Sequence, residues 1–215
     1  MTARRRLRGA TSLELLIITS FALVAIFAAV PMVLQQIYQY QALAEARAAL
    51  AFLNVLADGV ESDVGAAYAQ KVLNLPALRF GGLDFSTREI GRCGGAPIYN
   101  TTLIYRSQYL SLFGQFRGTR WAPLVEAPEP LLAIYGWGTS ASLVPRLVKY
   151  GSVVVVLNVT YTAAPGATGV GMYYKVQVPR TYDMSQSSQP QCTFPGLDLT
   201  GVETVVVIPV ELKLR

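Results

Sequence analysis

Side chains that could carry out chemistry are few in this sequence. There is no histidine among its 215 residues, so the commonest general base and the commonest metal ligand are both missing. The carboxylates available for acid–base chemistry follow no motif spacing; they are Asp84, Glu89, Glu126 and Glu129. We therefore expect no enzymatic activity, no cofactor and no metal site, and a membrane-anchored secreted enzyme is the weakest alternative.

The two cysteines, Cys93 and Cys192, are far apart and form no CxxC pair. A zinc site or a thioredoxin-like motif is therefore unsupported. Outside the cell the two residues would form a disulfide, and closing a loop of about 100 residues stabilises a fold by roughly 4.7 kcal/mol. The alternative is a pair of buried, unbonded thiols.

One carboxylate has an unusual setting. Glu14 precedes an apolar run that extends from Leu15 to Leu34 and is broken only by Thr19 and Ser20. A helix over this run, at about 1.5 Å per residue, spans a bilayer core of roughly 30 Å. An ionised side chain there costs roughly 2.5–3.5 kcal/mol on insertion scales. We predict a transmembrane segment, in which Glu14 serves a function or faces a partner.

The net charge of +5 is concentrated at the N-terminus. The basic residues before the apolar run are Arg4, Arg5, Arg6 and Arg8, and the next one after it is Arg47. The positive-inside rule therefore places the N-terminus in the cytoplasm and the bulk of the chain outside. Later basic residues are scattered, so we expect no nucleic-acid partner.

The sequence RLRGATSLE and the apolar helix after it resemble the class III (prepilin) signal of type IV pilins and related archaeal surface-filament subunits. In that family a membrane peptidase cuts after a glycine that follows basic residues, and the fifth mature residue is glutamate. The resemblance places the cut after Arg8-Gly9, before Ala10, which makes Glu14 that fifth residue. Pro31 then occupies the twenty-second mature position, where type IV pilins often carry a kinking proline.

The resemblance implies a precursor in the cytoplasmic membrane that prepilin peptidase and the pilus assembly machinery convert into an extracellular, adhesive filament. The partner in the filament would be further copies of the same chain, joined through the N-terminal helix. The new ammonium at Ala10 would lie about one helical turn from Glu14, and a neighbouring subunit's ammonium could pair with that carboxylate. Removing one member of such a buried pair typically costs about 3–5 kcal/mol.

Three alternatives stay open for this region. The chain could be a minor pilin or pseudopilin that primes or tips a filament, presenting aromatic residues such as Trp121, Tyr135 and Trp137 to a ligand. Glu14 could lie in the headgroup zone of an uncut anchor. Pro31 could be an ordinary transmembrane kink, since prolines are tolerated in membrane helices.

The pattern of helix-forming residues continues to about Asp58, so residues 10–58 are predicted to form one helix after a leader at residues 1–9. One apolar stripe recurs along it at steps of three and four, comprising Ile37, Tyr40, Ala44, Ala48, Ala51 and Val55. This stripe could pack in a filament's helix bundle or on the chain's own domain. Residues 59–78 are predicted to be a short helical linker.

Residues 79–215 are rich in Tyr, Val, Thr, Gly and Pro and are predicted to form an extracellular all-β domain, a sandwich, which makes the chain α+β. The segment APGATG predicts a hairpin between strands at 153–162 and 170–178. The unbroken run Val153–Val156 indicates a central strand covered on both faces. Pro209 indicates an edge position or a bulge in the last strand.

Two Asn-X-Thr triplets are candidate glycosylation sites if the domain is extracellular. They begin at Asn100 and Asn158. Asn158 falls in the predicted central strand, where only an outward-pointing side chain could carry a glycan. Asn100 is therefore the better candidate.

Overall fold

A computed structural model describes residues 3–66, 68–108, 124–126, 129–163, 171–185 and 191–215. Side chains are described for these residues except 3–12, 125, 126 and 137. The chain divides into two compact units, Met1–Gln41 and Ala42–Arg215. The first is helical, and the second holds the end of the same helix together with all described strands, which confirms the predicted α+β class.

One helix and twelve strands make up the described secondary structure. The helix is α1 (Ala3–Asp63). The strands are β1 (Ala69–Asn74), β2 (Gly81–Cys93), β3 (Ala96–Ser107), β4 (Leu124–Glu126), β5 (Leu132–Trp137), β6 (Ser140–Pro145), β7 (Leu147–Tyr150), β8 (Val153–Ala163), β9 (Gly171–Val176), β10 (Arg180–Asp183), β11 (Cys192–Thr193) and β12 (Thr204–Leu214).

Helix α1 continues past its predicted end at Asp58, through Gly59, where a glycine could have stopped it, and ends at Asp63. The glycine serves close packing rather than termination, because a Cβ at this position would lie 2.7 Å from the Tyr174 hydroxyl oxygen. The helical linker predicted for residues 59–78 is wrong. Its first residues belong to α1, and Ala69–Asn74 forms strand β1 because it pairs along its whole length with β9.

The strands form two sheets. Sheet A has seven strands in the order β1-β9-β12-β8-β7-β4, with β10 also paired to β12. Sheet B has five strands in the order β11-β2-β3-β6-β5. The chain passes from β6 in sheet B to β7 in sheet A between Pro145 and Leu147. Corners of this kind occur where a chain switches from one packed sheet to the other. The predicted all-β character of the domain is confirmed.

The predicted hairpin between β8 and β9 is wrong, because the C-terminal strand lies between them. Strand β12 pairs in parallel with β8, from Thr204 opposite Val153 to Leu214 opposite Ala163, and antiparallel with β9. The turn-like sequence APGATG lies outside the described residues. Local turn signals cannot reveal that a distant strand inserts between two sequence neighbours.

Pro209 lies in a central strand, so the predicted edge position is wrong. Its carbonyl accepts a hydrogen bond from the Gln177 N–H at 2.9 Å, and its ring nitrogen faces the same side of the strand. On that side the neighbouring chain is irregular between Val176, where β9 ends, and Arg180, where β10 begins. The missing proline N–H therefore falls at a break in the ladder, where it costs little.

Two hydrophobic cores fill the second unit. The first core joins α1 to both sheets and consists of Ala46, Ala49, Phe52, Leu53, Leu56, Ala57, Val60, Leu103, Tyr105, Leu132, Ala141, Leu143, Leu157, Val159, Met172, Tyr174, Val176, Ile208, Val210 and Leu212. The second core consists of Ile90, Cys93, Ile98, Leu147, Val154, Val156, Cys192, Phe194, Val202, Val205 and Val207.

Strand β8 separates the two cores. Val154 and Val156 lie in the second core, whereas Val155 packs against the first core. Its neighbours in sheet A are β12 and β7. The prediction of a central strand with two covered faces is confirmed.

Cys93 and Cys192 form the predicted disulfide, with an S–S distance of 2.02 Å. The two residues are direct partners across strands β2 and β11, and both are buried in the second core. The alternative of unbonded thiols is wrong. The bridge fixes the short strand β11 to the edge of sheet B.

The structure places Asn100, the preferred glycosylation candidate, inside the folded domain. This residue is only 2% exposed, and its Nδ2 donates a hydrogen bond to the Pro145 carbonyl at 2.9 Å. Its side-chain amide therefore links β3 to the end of β6. Asn158 is half-buried, and its Oδ1 accepts a hydrogen bond from the Tyr99 N–H at 2.8 Å.

Candidate assembly interface

The first unit presents an apolar surface along the described part of α1. Large hydrophobic side chains from Leu13 to Tyr40 are exposed, and the fraction reaches 73% for Phe27 and 74% for Tyr40. The most apolar stretch has a mean hydropathy of 2.5, and none of it is buried. The helix is thus long and apolar enough to cross a membrane.

The two hydroxyl residues inside this apolar stretch are satisfied within the helix. Thr19 Oγ1 donates to the Leu15 carbonyl at 2.9 Å, and Ser20 Oγ donates to the Leu16 carbonyl at 2.7 Å. Bonding to a carbonyl one turn earlier hides each hydroxyl from an apolar medium. These residues therefore do not oppose burial of the segment in lipid or in a helix bundle.

Glu14 is exposed and is the one carboxylate between residues 13 and 44 of α1. The residues of the predicted cut, Arg8, Gly9 and Ala10, lie within α1, but their side chains are outside the described part of the chain. The helix passes through Pro31 without interruption. The features that carry the prepilin resemblance therefore all lie on one helix.

The second unit buries one face of α1. The buried positions are Ala42, Glu45, Ala46, Ala49, Phe52, Leu53, Leu56, Ala57, Val60 and Asp63. Their spacing of three and four residues is that of a helix face packed on a core. The residues of this face were not predicted, although alanine and leucine recur along it in the sequence, a signal that could have identified it.

The predicted apolar stripe lies elsewhere on the helix and is exposed. Ala44, Ala48 and Ala51 are exposed in the second unit, as is Val55 at 54%. Ile37 and Tyr40 are exposed in the first unit. Within the described residues, the part of this stripe that lies in the second unit therefore does not pack on the domain's core. The described domain leaves this part of the stripe uncovered, and small alanine side chains would permit close approach of another helix.

Glu45 joins the buried helix face to sheet B. Its Oε2 accepts the backbone N–H groups of Arg79 at 2.6 Å and Phe80 at 2.9 Å. Its Oε1 accepts the hydroxyl of Tyr105 at 3.2 Å. Burial raises the pKa of Tyr105 to about 12, and the charge of the neighbouring Glu45 adds to the shift. The tyrosine therefore stays protonated as a donor.

A second carboxylate contact joins the end of α1 to sheet A. Asp63 accepts the Tyr174 hydroxyl at 2.8 Å and forms an ion pair with Lys71 at 2.9 Å. Hydrogen bonding to Lys71 holds the pKa of Asp63 below its ordinary value, against the opposing effect of burial. Burial raises the pKa of Tyr174 to about 12, and the bond to Asp63 adds to it.

Glu61 adds a third connection, since its Oε1 accepts the Leu132 N–H at 2.7 Å. Because Leu132 begins β5 of sheet B, the end of α1 is bonded to both sheets. The helix face toward the core is thus held by apolar packing and by carboxylates with specific donors. Within the second unit, this arrangement fixes the rotation of α1 on the domain and leaves Ala44, Ala48, Ala51 and Val55 exposed.

The structure does not gather the other carboxylates into a site. Asp84 pairs with Arg106 at 3.0 Å, Glu89 with Arg92 at 2.7 Å and Glu129 with Arg146 at 2.9 Å. The Glu126 side chain lies outside the described residues. Within the described ranges, no group of three or more Cys, Asp or Glu residues could hold a metal ion.

Of the aromatic residues suggested as a ligand surface, Tyr135 is half-buried in β5. Trp121 and the side chain of Trp137 lie outside the described part of the chain. The functional candidate that the geometry supports is therefore α1 itself, with its apolar stretch, Glu14 and the exposed stripe. Comparison of this chain with protein-family models, with curated proteins and with solved structures found no match in any of the three.

Proposed function

We propose that this chain is a structural subunit of an extracellular, type IV pilus-like filament. In this proposal a prepilin peptidase cuts the membrane-bound precursor after Gly9, and the mature chain polymerises through α1. The observation that carries the proposal is the uncovered apolar stripe of α1. Its members in the second unit are Ala44, Ala48, Ala51 and Val55, and the opposite helix face there already packs on the core. In the first unit, Ile37 and Tyr40 are exposed as well.

An uncovered apolar stripe on a helix that already anchors a domain indicates contacts with other molecules. Isolated exposed hydrophobic residues are common, but a contiguous apolar surface marks a protein or membrane interface. A membrane alone would account for the stretch from Leu15 to Leu34. It would not account for Ala48, Ala51 and Val55, which belong to the unit that contains the β domain.

Copies of the same helix are the partner that fits this surface. Leaving lipid for a helix bundle exchanges one apolar environment for another, so the transfer costs little, and small residues permit close helix packing. Glu14 would then be neutralised by the ammonium that cleavage creates at Ala10 of a neighbouring subunit. A charge buried in this way needs its partner, since an unpaired one costs several kcal/mol.

The experiment that tests the proposal is intact mass and N-terminal sequencing of the chain from the cell surface of a host with the assembly machinery. We expect a mature chain that begins at Ala10. Gly9→Val should block cleavage and leave the chain in the membrane. Glu14→Gln should be cut but absent from filaments, whereas the control Ser20→Ala in the same segment should assemble. Filaments built from chains that begin at Met1 would contradict the proposal.

The exposed stripe is tested separately from the cut site. Ala48→Glu places a charge in the stripe and should prevent assembly while leaving the monomer folded, because Ala48 is exposed in the second unit. Asn54→Glu is the matched control, since it adds the same charge at an exposed polar position of the same helix. Equal assembly of both variants would show that the stripe makes no subunit contact. The share of this chain in purified filaments separates a major subunit from a minor one.

A further inference from the structure

A groove of about 320 Å³ lies on the face of sheet A where β1, β9 and β12 run side by side. We call it the cationic groove, and its lining residues are Gln70, Tyr173, Lys175, Glu211, Lys213 and Arg215. It holds three cationic side chains and one carboxylate. None of these residues contributes to the assembly interface described above.

Strand register builds the cationic groove. Lys175 lies opposite Gln70 on one side and opposite Glu211 on the other. Tyr173 lies opposite Lys213 in the next row of the same face. Side chains two residues apart on a strand share a face. The groove therefore rests on three hydrogen-bonded strands and does not depend on a loop.

The cations of the cationic groove, Lys175, Lys213 and Arg215, form no ion pair within the described part of the chain. Lys175 Nζ lies 5.8 Å from the centre of the Tyr68 ring, and the Arg215 guanidinium lies 5.7 Å from that of Tyr173. Aromatic contacts of this kind orient a cation but leave its charge available to a ligand.

We propose that the cationic groove binds an acidic polysaccharide, a glycan chain in which carboxylated sugar rings also carry free hydroxyls. The cations would bind the carboxylates. Among the described residues, Glu211 accepts one hydrogen bond, a long one of 3.5 Å from Thr162, and it keeps acceptor capacity for sugar hydroxyls. Tyr173 donates its hydroxyl to Gln70 Oε1 at 3.0 Å, which leaves the Gln70 amide N–H groups as donors.

The groove contains a carboxylate beside its cations, and this combination favours an acidic glycan over other polyanions. The phosphates of polyphosphate or of a nucleic-acid backbone carry negative charge and no donor of their own for Glu211, so the carboxylate would repel them. A glycan offers hydroxyl donors between its charges. The inference rests on the extracellular location in the proposed function, since that is where acidic glycans cover surfaces. A volume of about 320 Å³ is at the lower end of the range of small-ligand sites.

The test measures binding of polygalacturonate to the full chain in a neutral detergent. Lys213→Gln together with Arg215→Gln should weaken binding roughly tenfold or more, a loss of about 1.4 kcal/mol or more. The control, Arg88→Gln with Arg180→Gln, removes the same charge from exposed positions outside the groove and should change binding less than about twofold, under 0.5 kcal/mol. The charge-preserving pair Lys213→Arg and Arg215→Lys should retain binding.

Three results would overturn the assignment. They are equal weakening by the control pair, equal binding of fully methyl-esterified polygalacturonate, and equal binding of polyphosphate at matched charge. The chain is prepared from a host with the assembly machinery, and its N-terminal residue is determined in the same preparation. A chain that begins at Met1 but binds polygalacturonate would contradict the filament proposal alone, whereas a cleaved, assembling chain without such binding would contradict the groove proposal alone.

Discussion

Glu45 provides the sharpest test of how α1 is fixed to the β domain. The residue is 8% exposed, and one of its oxygens accepts two backbone N–H groups, those of Arg79 and Phe80. Hydrogen bonds to a charged group contribute about 1.5–3 kcal/mol each to stability. Glu45→Ala should therefore lower the free energy of unfolding by about 3–6 kcal/mol, the sum of the two bonds.

The assay is urea unfolding of the full chain in a neutral detergent, followed by the circular dichroism of the β domain. Glu45→Gln should cost less than Glu45→Ala, because its amide oxygen still accepts the two N–H groups without the charge. Asp58→Ala is the control, as an exposed carboxylate on the same helix, and should change stability by less than about 0.5 kcal/mol. A Glu45→Ala variant as stable as Asp58→Ala would refute the reasoning.

Three further predictions concern the disulfide, the end of α1 and the sequons. Replacing Cys93 and Cys192 by serine should lower the free energy of unfolding by roughly 2–5 kcal/mol relative to the oxidised wild type, as measured by urea unfolding. Reduced wild type is the control and should be as unstable as the variant. The pKa of Asp63 is lower in the folded protein than its ordinary value. The contribution of Asp63 to the free energy of unfolding is therefore complete above the ordinary aspartate pKa and is lost as the pH falls through the lower native pKa. Asp63→Asn should flatten this acid limb of the stability curve, and an unchanged limb would contradict the assignment. Glycopeptide analysis should find no glycan on Asn100, because its side chain is buried and hydrogen-bonded in the folded domain. A glycan on Asn100 would contradict this burial.

The helix, the disulfide and the β-rich domain could be predicted because their signals are local or chemically specific. An apolar run of membrane length has few other uses, and two lone cysteines in a domain expected outside the cell have one obvious partner each. The four valines of Val153–Val156 likewise leave no polar face. These features depend little on what the rest of the chain does.

The errors arose where distant residues decide the local structure. Gly59 has the composition of a helix stop, but the Tyr174 side chain packs on it and α1 continues. The turn signal after β8 is outweighed by β12, which enters the sheet between β8 and β9. The Asn100 triplet looks accessible in sequence, yet its amide bonds to Pro145. None of these partners is near in sequence.

The candidate interface, too, could be predicted only in part from the sequence. Counting along the sequence identified the apolar stripe, but α1 has a second apolar face, and only packing decides which one the domain covers. The alanines on both faces make the two alike in composition. Glu45, Glu61 and Asp63 settle the choice, because Tyr105, Leu132 and Tyr174, which donate to them, lie in strands of the two sheets.

The most direct test of the central claim is the identity of the first residue of the chain in purified filaments, read by intact mass and N-terminal sequencing. The proposal predicts that the chain begins at Ala10, with Glu14 as its fifth residue. A filament chain that begins at Met1, or a cleaved chain that never appears in filaments, would contradict it.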